Sequence, residues 1–358
     1  MTESKSKQII GYRYLRALAC VAVIIMHTVN SAEILYRDTL SVTGLEWSMI
    51  AVYIMMWAVP CFLMVTGALL LDSEREMSLG KIFKKYLFRV VITLIACVLV
   101  FRLFDMAMNG ESFSLSVLGD AFKKLITGTS WAHLWYLYLL IGVYLLLPFY
   151  RVIVKYCKRR YLVYLVAVLV VFISVLPLLF GVFGWESAFT LHVGSIFPLY
   201  VFAGYILSKG VFQLNKACAL GVLLLGTALT VIFSLLRYEN NIQSLDVVIT
   251  SYDSFFVILQ SWGLFSLFLN IKNKDEGDCG KESKKDNLFT KFLLFIDDNC
   301  FGIYLIHLIW IRLVLRYMTV NPYEIGIWFF PVFIIANLLV SAVIVSLLRK
   351  IPGVKRVL

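Results

Sequence analysis

Tyr14–Ala32, YLRALACVAVIIMHTVNSA, is the stretch on which the fold turns. It comes close to the roughly 20 apolar residues that cross a bilayer core. Within it only Arg16 and His27 carry a cationic or imidazole group. A cleaved leader would need a short apolar region and an A-x-A site, and neither is present, so the run is expected to be a membrane helix. Runs of the same kind recur at Met49–Leu71, Tyr86–Met106, Leu134–Tyr150, Tyr161–Phe180, Phe189–Leu207, Ala217–Leu236, Val247–Leu269, Phe292–Tyr317 and Gly326–Leu348. Each must be helical, because an unpaired backbone amide in hydrocarbon costs several kcal/mol. The expectation is an all-α integral membrane protein, a bundle of about ten transmembrane helices.

Composition agrees. Of 358 residues, 61% are apolar and 15% charged, too few charges to cover a soluble domain of this length. The formal net charge of +11 is compatible with a polyanionic partner, but its distribution says otherwise. With the N-terminus inside, 23 of the 33 Lys and Arg fall in inner segments, around Lys5, Arg75–Lys85, Arg151–Arg160, Lys209–Lys216, Lys272–Lys291 and Arg349–Arg356. Arg37, Lys123, Lys124, Arg237 and Arg316 fall near outer loops. That bias sets both termini in the cytoplasm and 107–130 outside. The basic residues serve topology, and no nucleic acid is expected. The setting is a multi-pass protein of the bacterial cytoplasmic membrane, with the lipid bilayer as its partner.

The polar run Lys272–Asn287, KNKDEGDCGKESKKDN, is expected to be a mobile cytoplasmic loop within a single domain spanning 1–358. No internal repeat supports an inverted-repeat transporter. The seven cysteines show no CxxC or Cys/His spacing, so reduced thiols and no metal are expected.

An ionisable group inside a membrane is expensive and is a functional candidate by default. Arg16 and His27 are eleven positions apart, which returns to within about 20° of the same helix face, roughly 16 Å along the axis. A cation at the inner mouth with an imidazole deep on the same stripe suits a long anionic substrate entering from the cytoplasm. Equally, Arg16 can snorkel to headgroups while His27 makes a helix–helix hydrogen bond. His27, His133, His192 and His307 all map to the outer half, two of them beside Trp131, Trp135 and Trp185, where an aromatic belt would sit. His307, within an apolar helix, is the second candidate after His27. Arg102 and Asp105 are expected to pair locally, and Arg312 and Arg316 to pair with Glu324 or headgroups. Glu33 lies on a different face from His27. Lys84, Lys85 and Arg89 form a cationic inner mouth that either holds phosphates or is the ordinary topological signal.

Tyr14–His27 (YLRALACVAVIIMH) resembles the first helix of the membrane acyltransferase-3 family, with its Arg-x10-His motif. Pro60, Phe62, Thr66 and Gly67 in VPCFLMVTGALLL, and His133, Leu134, Trp135 and Tyr136 in HLWYLYLLIGVYLLLP, resemble its second and fourth helices. FPLYVFAGYIL (Phe197–Leu207) resembles the sixth, and FGIYLIH (Phe301–His307) the late helix ending in Tyr-Leu-x-His. The resemblance runs from residue 12 to about 310.

What it implies is transfer of an acyl group, usually acetyl and sometimes succinyl, from cytoplasmic acyl-CoA to a hydroxyl of a surface glycan or lipid-linked precursor. His27 corresponds to the catalytic residue and Arg16 to the motif arginine. The family's Arg-x-x-Arg pair is altered here. In KKYLFRV, Arg89 matches the second arginine and Tyr86 replaces the first, with Lys85 one residue away supplying charge but not a bidentate guanidinium. Arg16, Lys85 and Arg89 are thus the expected acyl-CoA residues. His307, His133 and Trp135 are expected in acceptor binding or proton transfer. Acyl-CoA (acetyl-CoA) is a co-substrate, and no permanently bound cofactor or appended esterase-like domain is expected. The competing reading is a transporter or exporter of a small polar molecule or glycan with the same charges lining a path.

Overall fold

A computed structural model describes residues 10–72, 75–185, 195–239, 242–271 and 288–357. These are helical, with no strand among the described residues. The helices in chain order are α1 (Ile10–Tyr36), α2 (Val42–Tyr53), α3 (Ala58–Leu70), α4 (Leu79–Lys81), α5 (Phe88–Met108), α6 (Leu115–Thr127), α7 (Trp135–Tyr156) and α8 (Arg159–Val170). Then come α9 (Leu176–Phe183), α10 (Ile196–Ser208), α11 (Lys216–Glu239), α12 (Asp246–Ile249), α13 (Phe255–Leu269), α14 (Leu288–Ile311), α15 (Pro322–Ile325) and α16 (Phe329–Leu348). Merged across their short joints they give eight helices long and apolar enough to cross a membrane, with α10 and α13 as shorter apolar helices.

The joints follow from local chemistry. Pro60 falls in the first turn of α3, where its missing N–H would have had no intrahelical partner. A π-helical stretch, Val171–Val175, precedes Pro177 at the start of α9 and accommodates the lost donor. Val247–Leu269 is not one helix as the hydropathy suggests. It breaks at 250–254, where Ser251 Oγ accepts from Asp253 N at 3.1 Å and Ser254 Oγ caps Phe256 N at 3.3 Å. Short polar side chains that satisfy the backbone themselves end a helix.

Residues 115–127 form the amphipathic α6, which hydropathy alone passes over as loop. It packs Val117 and Ala121 inward and leaves Leu115, Leu118, Phe122 and Ile126 exposed. The run Lys272–Asn287, His192 and the start of Phe189–Leu207 lie outside the described residues.

α1 is the hub, packed against α2, α3, α13, α14 and α16. The α3–α10 crossing is close enough to need glycine on both sides. A Cβ on Gly67 would lie 1.8 Å from the Val201 carbonyl oxygen, and one on Gly204 2.0 Å from that of Met64. The α1–α14 seam uses small or slim residues (Ala17, Cys20, Ile24, Cys300 and Ile303). Large apolar side chains such as Phe88, Val100, Leu224 and Ile335 face outward, as a lipid-facing surface requires.

Candidate functional site

The bundle has one end rich in basic side chains, where Arg16 sits, and an opposite end toward which His27 points the way. The structure brings together a basic cavity, a group of aromatic rings and a cluster of imidazoles.

At the basic end, a cavity of about 590 Å³ is lined by Arg16, Arg75, Lys85, Arg89 and Arg349, with Asp297 and Asp298 among them. Arg16, Lys85 and Arg89 are therefore brought to one space from α1, the π-helical turn Ile82–Leu87, and α5. Arg16 does not stand free in it. Its Nε and Nη2 donate to Asp297 at 2.7 and 2.9 Å, and Arg13 Nε donates to the same carboxylate at 2.7 Å. The Asp297 side chain is only 1% exposed, so this acid is the buried counter-charge that ties α1 to α14. Arg89 Nε donates to the Val357 carbonyl at 2.9 Å, and its guanidinium lies over Phe301 at 5.1 Å. Arg75 reaches the Tyr86 hydroxyl at 3.2 Å. Tyr86, standing where the family motif has arginine, thus holds another arginine in the same cavity.

Asp297, Arg75 and Arg349 were not singled out from the sequence. Two acids inside the apolar run LLFIDDNCFGIYL were the available signal for the first.

Phe62, Tyr136 and Tyr304 are also among the residues that line the cavity. These rings touch: Tyr136 lies 5.5 Å from Tyr304 and 6.3 Å from Phe62 between centroids. Beside Tyr304, His27, His133 and His307 meet, from α1, from the 3-10 turn entering α7, and from α14. Their centroids are 5.3 Å (His27–His307), 5.7 Å (His133–His307) and 6.4 Å (His27–His133) apart. Tyr304 borders both groups, 5.6 Å from His133 and 5.9 Å from His307, and its hydroxyl donates to the His133 carbonyl. His133 and His307 are fully buried, whereas His27 is partly open. Asn337 on α16 donates to the His307 carbonyl at 3.1 Å, with Ser341 behind it at 3.0 Å. Among the described residues no group of three or more His, Cys, Asp or Glu has the geometry to hold a metal ion.

His133 is no interfacial belt residue; it is sealed by Phe101 and Trp131. Trp135 lies apart from the imidazoles, packed on Tyr252 and Phe197 at 5.5 and 5.8 Å.

Two expected ion pairs are corrected. Arg102 does not pair with Asp105. It reaches Glu111 at 2.6 Å and Asp120 at 2.7 Å, acids supplied by the turn after α5 and by α6. The Arg102 guanidinium holds the Glu111 carboxyl below its usual range, and Lys124 does the same for Asp120. Asp105 instead accepts from Trp131 Nε1 at 2.9 Å and Arg312 at 3.0 Å. Arg312 thus pairs with Asp105 rather than Glu324, and its guanidinium stacks on Trp131 at 3.9 Å. Glu324 accepts from Asn321 at 2.9 Å. Trp131 stacks on Phe101 at 4.3 Å and lies beneath Arg312, with His133 at 6.2 Å.

Set against known proteins, residues 9–346 match the model of the acyltransferase-3 family, described as an acyltransferase domain. No curated protein and no solved structure matches the chain.

Proposed function

Because the chain belongs to the acyltransferase-3 family, whose model covers residues 9–346, we propose that it is a membrane O-acyltransferase moving an acetyl group from acyl-CoA to a hydroxyl of a surface or lipid-linked glycan. The basic end faces the cytoplasm in this reading, both termini lie there, and α10 and α13 also cross, giving ten spans in a bacterial cytoplasmic membrane. The observation that carries the proposal is that Tyr304 lines the basic cavity and also packs on His133 and His307, so the cavity and the three imidazoles adjoin.

Arg75, Lys85, Arg89 and Arg349 offer donors to the phosphates of coenzyme A, and arginine does so through paired N–H groups. Arg16, bound to Asp297 through two of its nitrogens, shapes the cavity wall and keeps Nη1 for the ligand. The pantetheine arm then runs toward His27. The eleven-residue spacing from Arg16 is roughly 16 Å of helix rise, comparable to that arm extended. His27 is the catalytic residue, a neutral imidazole able to take a proton or an acyl group.

Mass analysis of surface glycans from cells with and without the gene tests this reading. Loss of an O-acetyl substituent with the gene is expected. Identical glycan acylation in both, together with no acetyl-CoA turnover by the purified protein, would refute it.

A further inference from the structure

The three imidazoles are not equivalent. His133 Nε2 lies 3.2 Å from the Leu305 carbonyl, and His307 Nδ1 lies 2.7 Å from the Tyr304 carbonyl and 3.2 Å from that of Ile303. A carbonyl oxygen only accepts, so in the neutral rings those nitrogens carry the protons. The opposite nitrogens, His133 Nδ1 and His307 Nε2, are therefore bare lone pairs. Both are buried and have no hydrogen-bond partner among the described residues. A buried acceptor without a donor is expensive and uncommon. The same backbone carbonyls that fix the rings keep either lone pair from being relieved by a change of tautomer. Two lone pairs repel a carboxylate or phosphate oxygen and match an O–H donor. His27 differs on every count: it makes no hydrogen bond among the described residues, is partly open, and has no carbonyl fixing its ring.

Resting on the acyltransferase reading above, we propose that His133 and His307 form the hydroxyl-binding half of the site, with His307 taking the acceptor's proton, while the unanchored His27 carries the acyl group between the basic cavity and that hydroxyl. In the first half, a His27 nitrogen bonds to the thioester carbonyl carbon and the carbon–sulfur bond breaks. The leaving thiolate takes the proton from the other His27 nitrogen, giving acyl-His27 and free thiol. In the second half, the acceptor oxygen bonds to the acyl carbon as the carbon–nitrogen bond breaks. The O–H proton passes to His307 Nε2 and returns to His27, so ester and starting enzyme are restored. Tyr304 lines the cavity and packs on His133 and His307, so the basic cavity adjoins the imidazoles that His27 contacts. A single base acting in one displacement would leave two locked lone pairs without work.

The test uses the purified full chain in detergent with radiolabelled acetyl-CoA and water as the only hydroxyl donor, reading free thiol release and acid-quenched, hydroxylamine-labile label on the protein. Wild type should release thiol continuously and hold little label. His307→Gln and His133→Gln should release about one equivalent, accumulate label, and turn over at least about 100-fold more slowly, the scale of a lost general base. Their acetyl-CoA affinity should stay within about twofold of wild type, because neither residue lines the cavity. His27→Gln should take no label. Wild-type turnover in the His307 and His133 variants, or loss of label together with turnover while acetyl-CoA still binds, overturns the division of labour. Wild-type protein that releases no thiol and takes no label removes the acyltransferase reading itself. One arm is independent of variant folding: nitrogen-15 histidine NMR of the unmodified protein should show His133 Nδ1 and His307 Nε2 unprotonated, and protonation at either nitrogen overturns the assignment.

Discussion

Asp297→Ala should be the most damaging single-atom-group deletion at the basic end. The carboxylate accepts from Arg13 at 2.7 Å and from Arg16 at 2.7 and 2.9 Å, and its side chain is 1% exposed. Breaking a fully buried ion pair costs about 3–5 kcal/mol, since the remaining charge is left uncompensated. Here Arg13 keeps its pair with Asp298 at 2.5 Å, so Arg16 alone is left unpaired, and at 26% exposure water offsets part of the loss. A destabilisation of about 2–3 kcal/mol is expected after that discount, roughly 30- to 150-fold in the folding equilibrium. Reversible unfolding in mixed micelles of increasing dodecyl sulfate, followed by tryptophan fluorescence, measures it. A double-mutant cycle with Arg16→Ala should return a coupling of at least about 1 kcal/mol, because the two groups touch. A loss below about 0.5 kcal/mol, the value of an exposed pair, would show that apolar packing alone joins α1 to α14.

Gly204→Val should abolish folded protein on size exclusion, because the added Cβ meets the Met64 carbonyl oxygen at 2.0 Å, while Gly142→Ala, with nothing within 4 Å, should be tolerated. Arg89→Ala and Arg89→Lys should each weaken acetyl-CoA binding by roughly tenfold in a calorimetric titration, since lysine lacks the paired donors; unchanged affinity in both would show that Arg89 serves topology and the Val357 contact only. Cys157 and Cys218 are exposed at the basic end, so a membrane-impermeant maleimide should label them in inverted vesicles and not in intact cells, and labelling from outside would reverse the orientation.

The helices were legible because hydrocarbon demands a contiguous apolar run, and Tyr14–Ala32 and its counterparts supply one. Departures occur where a few side chains act locally. Ser251 and Ser254 split the run at Val247–Leu269 by bonding the backbone themselves. Hydropathy passes over α6 because Asp120, Lys123 and Lys124, set beside its apolar stripe, leave the mean hydropathy low. At the site, the sequence pointed to His27 as the catalytic residue and to His133 and His307 in acceptor binding or proton transfer, but not to the meeting of their rings. That their rings meet depends on how α1, α7 and α14 pack, which spacing within one helix does not encode. The partner of Arg16 was hidden for the same reason: Asp297 is 281 positions away. Arg102 and Asp105 show the converse error. Nearness along α5 suggested a pair, and partners from α6 and from the π-helical turn Arg312–Tyr317 took both.

The central claim is that His27 performs acyl transfer from acyl-CoA bound at the basic cavity. It is tested most directly by radiolabelled acetyl-CoA supplied to inverted membrane vesicles carrying wild type or His27→Ala, counting label in the extracted glycan fraction. Transfer should fall by about 100-fold or more in the variant, the scale of a lost acid–base group, with acetyl-CoA affinity unchanged. His27→Ala protein that binds acetyl-CoA normally and still labels glycan at more than about a tenth of the wild-type rate would contradict the account.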